Sequence, residues 1–335
     1  MSSLALSALP KAAVTHLQKA FPISFESHRS IKVTLLFSAA THFTEFIICV
    51  FFFNYAAAPY FVPPIATPID GSDSFLYAHS IIRQYGFFVV QLALVAAFLI
   101  SEPARYTPFI YALALARLLM AALGLYAYTL DALSLWQFLP SLILNVGLAF
   151  MLWRLAPASL PLLSRHEALQ QWRTQTLLGL SLSPLVRWRT LQLLCIIAGG
   201  LWILWGLGST VLWEIGVANI SSDSVTEQNL LQAMQANHVV RNQQGLMLFS
   251  IGLITAWAAR HPLSYCKIMD FILAQQVINA FSAGVELGFG AILLPQFLTV
   301  FSVQVFTFGL FYMLRPNSTH VEIDTIGKEA MECNR

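Results

Sequence analysis

Largely apolar runs at 33–53, 84–100, 107–129, 137–155, 190–213, 245–260, 268–290 and 296–314 constrain this chain more than anything else in it. A helix needs about 20 such residues to cross the hydrocarbon core of a bilayer. The second and sixth runs are short by that measure, so each is expected to begin a turn or two earlier, near His79 and His238. Composition points the same way. The chain is 57% hydrophobic and only 10% charged, where a soluble domain carries about 25% charged residues. Mean hydropathy is +0.68. These values describe an all-α integral membrane protein with eight transmembrane helices. A net charge of +2 is too small to suggest a nucleic-acid partner. Cys49, Cys195, Cys266 and Cys333 have no paired spacing, which argues against a disulfide framework and a zinc site. Cys49 and Cys195 fall in apolar runs, where a thiol behaves as a small hydrophobe.

The runs also repeat. His79, Gln84, Gly86, Leu94, Pro103, Tyr106 and Ala121 recur as His238, Gln243, Gly245, Leu253, Pro262, Tyr265 and Ala280, at a constant step of 159 residues. Apolar sequences match Leu and Ala by chance, but a gapless match of His, Gln, Gly, Pro and Tyr predicts a duplicated unit. The expected layout is two four-helix repeats, 33–155 and 190–314, joined by a cytosolic segment 156–189 that Pro157, Pro161 and Pro184 interrupt. Residues 1–32 read as a cytosolic lead lying on the membrane surface. Their first 25 residues have no acid, no Arg and no apolar run of the secretory type. Residues 315–335 read as a polar cytosolic tail.

Basic residues fix the orientation. Lys19, Arg29 and Lys32 precede the first span; Arg154, Arg165, Arg173, Arg187 and Arg189 crowd the joint; Arg260 and Lys267 flank the turn before span seven. The acid-bearing loops 54–82 (Asp70, Asp73) and 214–240 (Glu214, Asp223, Glu227) then face the other side. An even number of spans per unit makes the repeats parallel, related by an axis along the membrane normal. Asn219-Ile220-Ser221 fits a glycosylation acceptor on the non-cytosolic side, whereas Asn317-Ser318-Thr319 fits the pattern on the wrong side. The membrane is expected to be the endoplasmic reticulum in a eukaryote or the inner membrane in a bacterium.

Ionisable residues inside spans carry most information, since a central charge costs roughly 2.5–3.5 kcal/mol even on insertion scales. Span one reads Thr41-His42-Phe43-Thr44-Glu45, and His42 and Glu45, three apart, share a helix face. The equivalent stretch of span five, Gly199 to Trp205, holds no ionisable group, so the carboxylate belongs to one half only. Arg117, midway along span three, is the natural partner for Glu45, and its repeat equivalent is Gln276. Gln276, Asn279, Ala283 and Glu286 form one polar stripe along span seven. Two readings stand for all of these. Either they line a cavity, or they lock helices together as pairs and hydrogen bonds worth about 0.6 kcal/mol each; Glu286, near the outer boundary, also has the option of snorkelling. Gln91, Asn145 and Gln304 are single polar points that read as structural, and the duplicated His79 and His238 read as caps or interfacial anchors. Trp213 suits the aromatic belt, while Trp202 and Trp205 lie deeper, where a π face serves either packing or a ligand.

Walker, dinucleotide-glycine, metal-helix and nucleophile-elbow motifs are all absent, and no cofactor or metal is expected. Each half, with Arg83-Gln84-Tyr85-Gly86 opening span two, a short Pro turn and a mid-span Arg117 or Gln276, resembles the four-helix units of DoxX-like membrane proteins. In its eight spans, missing cofactor motifs and intramembrane acids, the whole chain is similar to the membrane-bound terpenoid cyclases of fungal meroterpenoid pathways. That resemblance implies a cofactor-independent cyclase or isomerase that protonates a prenyl or epoxy-prenyl substrate. The chemistry needs a proton donor, a dry apolar cavity and aromatic faces that tolerate positive charge. A carboxyl buried in hydrocarbon is biased towards its neutral acid form. Glu45 and Glu286 are the candidate acids, with His42, Arg117, Gln276, Asn279 and Trp202 as candidate substrate contacts. The expected partners are a hydrophobic or prenylated small molecule and membrane lipid. The competing class is a non-catalytic carrier of lipids or small molecules, or a scaffold subunit. The topology is directly testable: cysteines placed at 70 and 170 should label from opposite sides of the membrane, and labelling from one side would end the scheme.

Overall fold

The computed structural model describes residues 28–52, 73–129, 135–160, 169, 175–177, 180–212, 225–262, 264–290 and 292–315. Among them are eight long helices: α1 Arg29–Phe51, α2 Asp73–Leu99, α3 Thr107–Thr129, α4 Leu135–Leu155, α5 Pro184–Leu207, α6 Val225–Ala258, α7 Cys266–Gly288 and α8 Leu294–Leu314. A short antiparallel hairpin pairs Gln175–Leu177 with Leu180–Leu182, and a π turn, Gly208–Leu212, extends α5. Seven of the helices are long and apolar enough to cross a membrane, which with the composition makes this an integral, multi-pass membrane protein. The other, α6, is 34 residues long, and a polar Arg241-Asn242-Gln243-Gln244 run precedes its apolar half.

Helix ends differ from the apolar runs, for a physical reason. Apolarity reports bilayer thickness, while helix length depends on backbone propensity, and Glu, Gln, Leu, Ala and Met in 225–240 favour helix beyond the membrane. As a result α2 and α6 start at Asp73 and Val225. His79 and His238 therefore fall within helices instead of capping them, which corrects the capping expectation. Likewise α5 begins at Pro184, ahead of its expected start at 190. Ser183 caps it, accepting from Val186 N at 3.3 Å, with proline in the first turn where no amide donor is required. The lead before residue 28, the tail after 315, Asp70, Asn219, Asn317, Glu214, Asp223 and Trp213 lie outside the described residues.

The packing follows a simple scheme. α1 lies on α2 and α5 on α6; α3 lies on α4 and α7 on α8. In the centre α2 meets α6, while α2 also touches α7 and α6 touches α3. Fully buried Leu92, Val95, Phe109, Ile251, Ile254, Phe271 and Ile272 fill this centre. By contrast only Phe311 and Leu314 of α8 are buried, and much of the helix away from α7 is exposed. At the basic end, Tyr106 and Tyr265 pack with centroids 6.1 Å apart, and Arg105 Nε donates to Ser264 O at 2.7 Å. Arg187 donates to Leu314 O and Arg315 O at 3.2 and 3.0 Å, and Gln192 donates to Ala259 O at 3.0 Å. Arg187 and Gln192 thus satisfy carbonyls that helix C-termini leave open, and Arg105 reaches the turn before α7.

α5 and α6 approach to backbone contact. A Cβ on Gly199 would sit 2.5 Å from Ala256 N, and one on Gly206 2.5 Å from Gly245 O. A Cβ on Gly252 would sit 2.7 Å from Gly199 O. Small residues are what let two membrane helices pack this closely, since lipid supplies no hydrophobic drive between them. Backbone cannot give way as a flexible side chain does, so Gly252→Ala should cost at least the 1–3 kcal/mol of ordinary overpacking. Gly147, with nothing within 4 Å of its added Cβ, is the control. Thermal unfolding in detergent should show a clear loss for Gly252→Ala and none for Gly147→Ala.

A candidate functional site inside the first four helices

The inward face of α1 is unusually polar. Ile31, Thr34, Leu35, Ser38, His42 and Cys49 recur at helical spacing and are buried, while Val33, Leu36, Phe43 and Phe51 face outward. Glu45 lies on the inward stripe with its side chain 35% exposed. Around this stripe the first four helices enclose a cavity of about 570 Å³. α1 supplies Thr41, His42 and Glu45; α2 supplies Ile82 and Tyr85; α3 supplies Arg117 and Met120; α4 supplies Ser141, Leu144 and Asn145. Gln243 reaches the same cavity from α6. The volume is in the range of small-molecule sites, roughly 300–1,000 Å³.

Glu45 is held from two sides. Tyr85 Oη donates to its Oε1, and its Oε2 lies 3.7 Å from His42 Nδ1. His42 is only 2% exposed, and its Nδ1 has no hydrogen-bond partner among the described residues. Arg117 lines the same cavity without touching the acid. Its Nη1 donates to Asn145 Oδ1 at 3.1 Å; its Nη2 donates to Ser38 O and Oγ at 3.1 Å and to Thr41 Oγ1 at 2.7 Å. Its Nε is buried with no partner among the described residues. The expected Arg117–Glu45 pair is therefore not formed. Arg117 is instead drawn to acceptors one to two turns away on α1: at 1.5 Å per residue, Thr41 and Ser38 stand about 6 and 10 Å along the axis from Glu45.

The α7 stripe goes elsewhere. Glu286 is buried and takes a two-pronged bond from Arg83, Nε to Oε1 and Nη2 to Oε2, both 3.0 Å. Arg83 also lies over the Phe289 ring, 4.3 Å from its centroid. Asn279 Oδ1 accepts from Gln91 Nε2 at 2.8 Å, and Gln276 turns back to Ile272 O on its own helix at 3.2 Å. None of the three is among the residues lining the Glu45 cavity. Trp202 is also absent from that lining and packs edge-on to Phe88 at 6.3 Å. The sequence-derived set thus divides: Glu45, His42 and Arg117 share one cavity, and Glu286, Gln276, Asn279 and Trp202 lie apart from it.

Two residues of the site region, Tyr85 and Arg83, carried no assigned role in the sequence reading, although both belong to the quoted Arg83-Gln84-Tyr85-Gly86 run. A signal for Arg83 existed. Glu286 is an acid inside a span, and Arg83 stands just outside the second apolar run. Among the described residues no three His, Cys, Asp or Glu side chains gather to hold a metal. Compared with models of known protein families, with curated proteins and with solved structures, the chain matches none.

Removing one member of a buried ion pair costs about 3–5 kcal/mol, because the other charge is stranded. Glu286→Gln should therefore lower the unfolding temperature markedly, and the double replacement Arg83→Met with Glu286→Met should recover most of the loss. A Glu286→Gln protein as stable as the wild type, yet altered in chemistry, would recast Glu286 as a functional acid.

Proposed function

We propose that the protein is a membrane-embedded, cofactor-independent cyclase or isomerase that protonates a prenyl or epoxy-prenyl substrate, with Glu45 as the acid. The observation that carries this reading is a carboxyl, a phenol and an imidazole gathered on one cavity within the membrane-spanning helices. Phe37, Ile48, Ile82, Met120 and Leu144 supply apolar wall, and Phe37 and Tyr85 supply aromatic faces. Water is scarce at such a depth, which suits a carbocation that must cyclise before it is quenched.

Each group has a role. Glu45 gives its proton to the epoxide oxygen or to a terminal alkene carbon, leaving a carboxylate that Tyr85 stabilises by donating to Oε1. The cation migrates through ring closure along the apolar wall. A proton is then lost from carbon to the Glu45 carboxylate, or to His42 beside it, so no net proton is consumed when an alkene is isomerised. Arg117 is anchored to neutral acceptors, so it does not quench Glu45 as a direct ion pair would. Glu286, already committed to Arg83, is poorly placed for the same role.

The two-repeat architecture belongs to this proposal too. It is supported by matched helix packing: α1–α2 corresponds to α5–α6, α3–α4 to α7–α8, and α2–α7 to α6–α3. Further support comes from residues one repeat apart that touch, such as Tyr106 with Tyr265 and Arg105 with Ser264. Both contacts suit a two-fold axis passing close to α2 and α6, with α6 as the eighth span. A non-catalytic carrier would use the same cavity, and its side opening favours that second reading.

Glu45→Gln decides between them. Membranes containing the protein are incubated with a prenylated or epoxidised lipid, and products are analysed by mass and retention. The proposal expects the wild type to form a cyclised or isomerised product and Glu45→Gln to be slower by about 10²–10⁴-fold, the usual worth of a positioned acid. Tyr85→Phe should fall by a smaller factor. Full product formation by a normally expressed Glu45→Gln protein would exclude Glu45 as proton donor. Binding without any product in the wild type would favour the carrier.

A further inference from the structure

The cavity has a side door. Among its lining residues, Phe37, Ala40 and Thr44 on α1 and Pro140, Ser141 and Leu144 on α4 are all exposed. They flank the seam where α1 and α4 meet, a lighter contact than α1 makes with α2. These residues belong to helices long and apolar enough to span the membrane, so the seam faces acyl chains. Glu45 lies 16 residues beyond Arg29 on α1, about 24 Å from the basic end of the helix. The opening therefore runs from the midplane, where Arg117 sits, into the half of the bilayer remote from the basic residues.

On residues that line this cavity, two buried nitrogens have no hydrogen-bond partner among the described residues, His42 Nδ1 and Arg117 Nε. An unsatisfied buried polar atom costs about 1–3 kcal/mol, and an oxygen acceptor on a ligand would relieve that cost. The acceptor is uncharged. A formal charge crosses lipid only at high cost, which an uncharged head avoids.

We infer that the substrate reaches the site sideways from the lipid, through the α1–α4 seam, and is a single-chain isoprenoid amphiphile whose uncharged oxygen group docks at His42 and Arg117. This rests on the proposed function for the identity of the site, and extends it to the route in and the chemistry of the head.

The test uses two photoreactive probes, a diazirine-bearing long-chain isoprenoid alcohol and the carboxylate of the same chain, on the full-length protein in phosphatidylcholine vesicles. Adducts are mapped by peptide mass. The alcohol should label peptides from α1 and α4. Labelling should fall at least tenfold in Ala40→Trp and in Thr44→Trp, whose bulk fills the seam from lipid-exposed positions. Leu118→Trp, on the outward face of α3 and 48% exposed, should change nothing. The carboxylate should label at least tenfold less than the alcohol. Undiminished labelling in both seam variants, each with a wild-type unfolding temperature, would overturn the route. Equal or stronger labelling by the carboxylate would overturn the assignment of an uncharged head. Repeating the labelling in Glu45→Gln separates this inference from the acid role, because binding needs no turnover. Labelling kept while product is lost supports both, and labelling kept while product formation is also unchanged removes the acid and leaves the route standing.

Discussion

The arrangement of the molecule turns on how α2 is gripped. On one side Arg83, Phe87 and Gln91 bind α7, through the Glu286 ion pair, the Phe281 ring at 5.9 Å and the Asn279 amide. These positions are four apart and so form a single face. Ile82 and Tyr85 point into the cavity instead, as a two-residue step from Arg83 to Tyr85 turns the side chain about 200° around the helix. One helix thus joins the two halves of the chain on one face and supplies the partner of Glu45 on the other. The ion pair fixes where the phenol stands. A buried pair of this kind adds little net stability over an apolar one; here it fixes the rotation of α2 about its axis.

The helix pairs α1–α2 and α5–α6, matched in the proposed repeat, differ in what meets at their contacts. In the second half, Gly199 and Gly206 meet Gly252 and Gly245 at backbone distance, and no room remains between α5 and α6. In the first half Gly86 faces the Cβ of Cys49, 2.9 Å from where its own Cβ would stand. There the nearest atom is a side-chain Cβ in place of backbone, and the lighter α1–α4 seam leaves an edge of the cavity open. The polar residues of α1 and the cavity occur together in that half. Where the proposed repeat lacks an ionisable group on its first helix, the helices have closed on glycine.

Much of this was legible in the chain. The apolar runs located the membrane helices because hydrocarbon permits only self-satisfied backbone, so the hydropathy of 33–53 or 107–129 is itself a structural constraint. His42, Glu45 and Arg117 were marked as neighbours because ionisable groups in lipid turn inward. What stayed hidden was specific. Arg83 fell just outside an apolar run and was read as part of a motif, so the cation for Glu286 went unassigned and the acid looked free. Arg117 was matched to Glu45 by charge alone, whereas Ser38, Thr41 and Asn145 offered acceptors at the right height. The helix ends at Asp73 and Val225 lay beyond what membrane thickness can report.

That misplaced pairing bears on chemistry. A carboxyl locked to a guanidinium gives up its proton early and keeps none to donate. Arg117, by spending Nη1 and Nη2 on neutral oxygens, leaves Glu45 with a phenol and an imidazole as its near neighbours. Both are groups that can carry a proton, which is what the proposed reaction asks of the neighbours of Glu45. Glu286 has different neighbours: its two oxygens accept from two N–H groups of Arg83. The two acids thus differ in their neighbours, a phenol and an imidazole for Glu45 and a guanidinium for Glu286, and only the first set suits the proposed reaction.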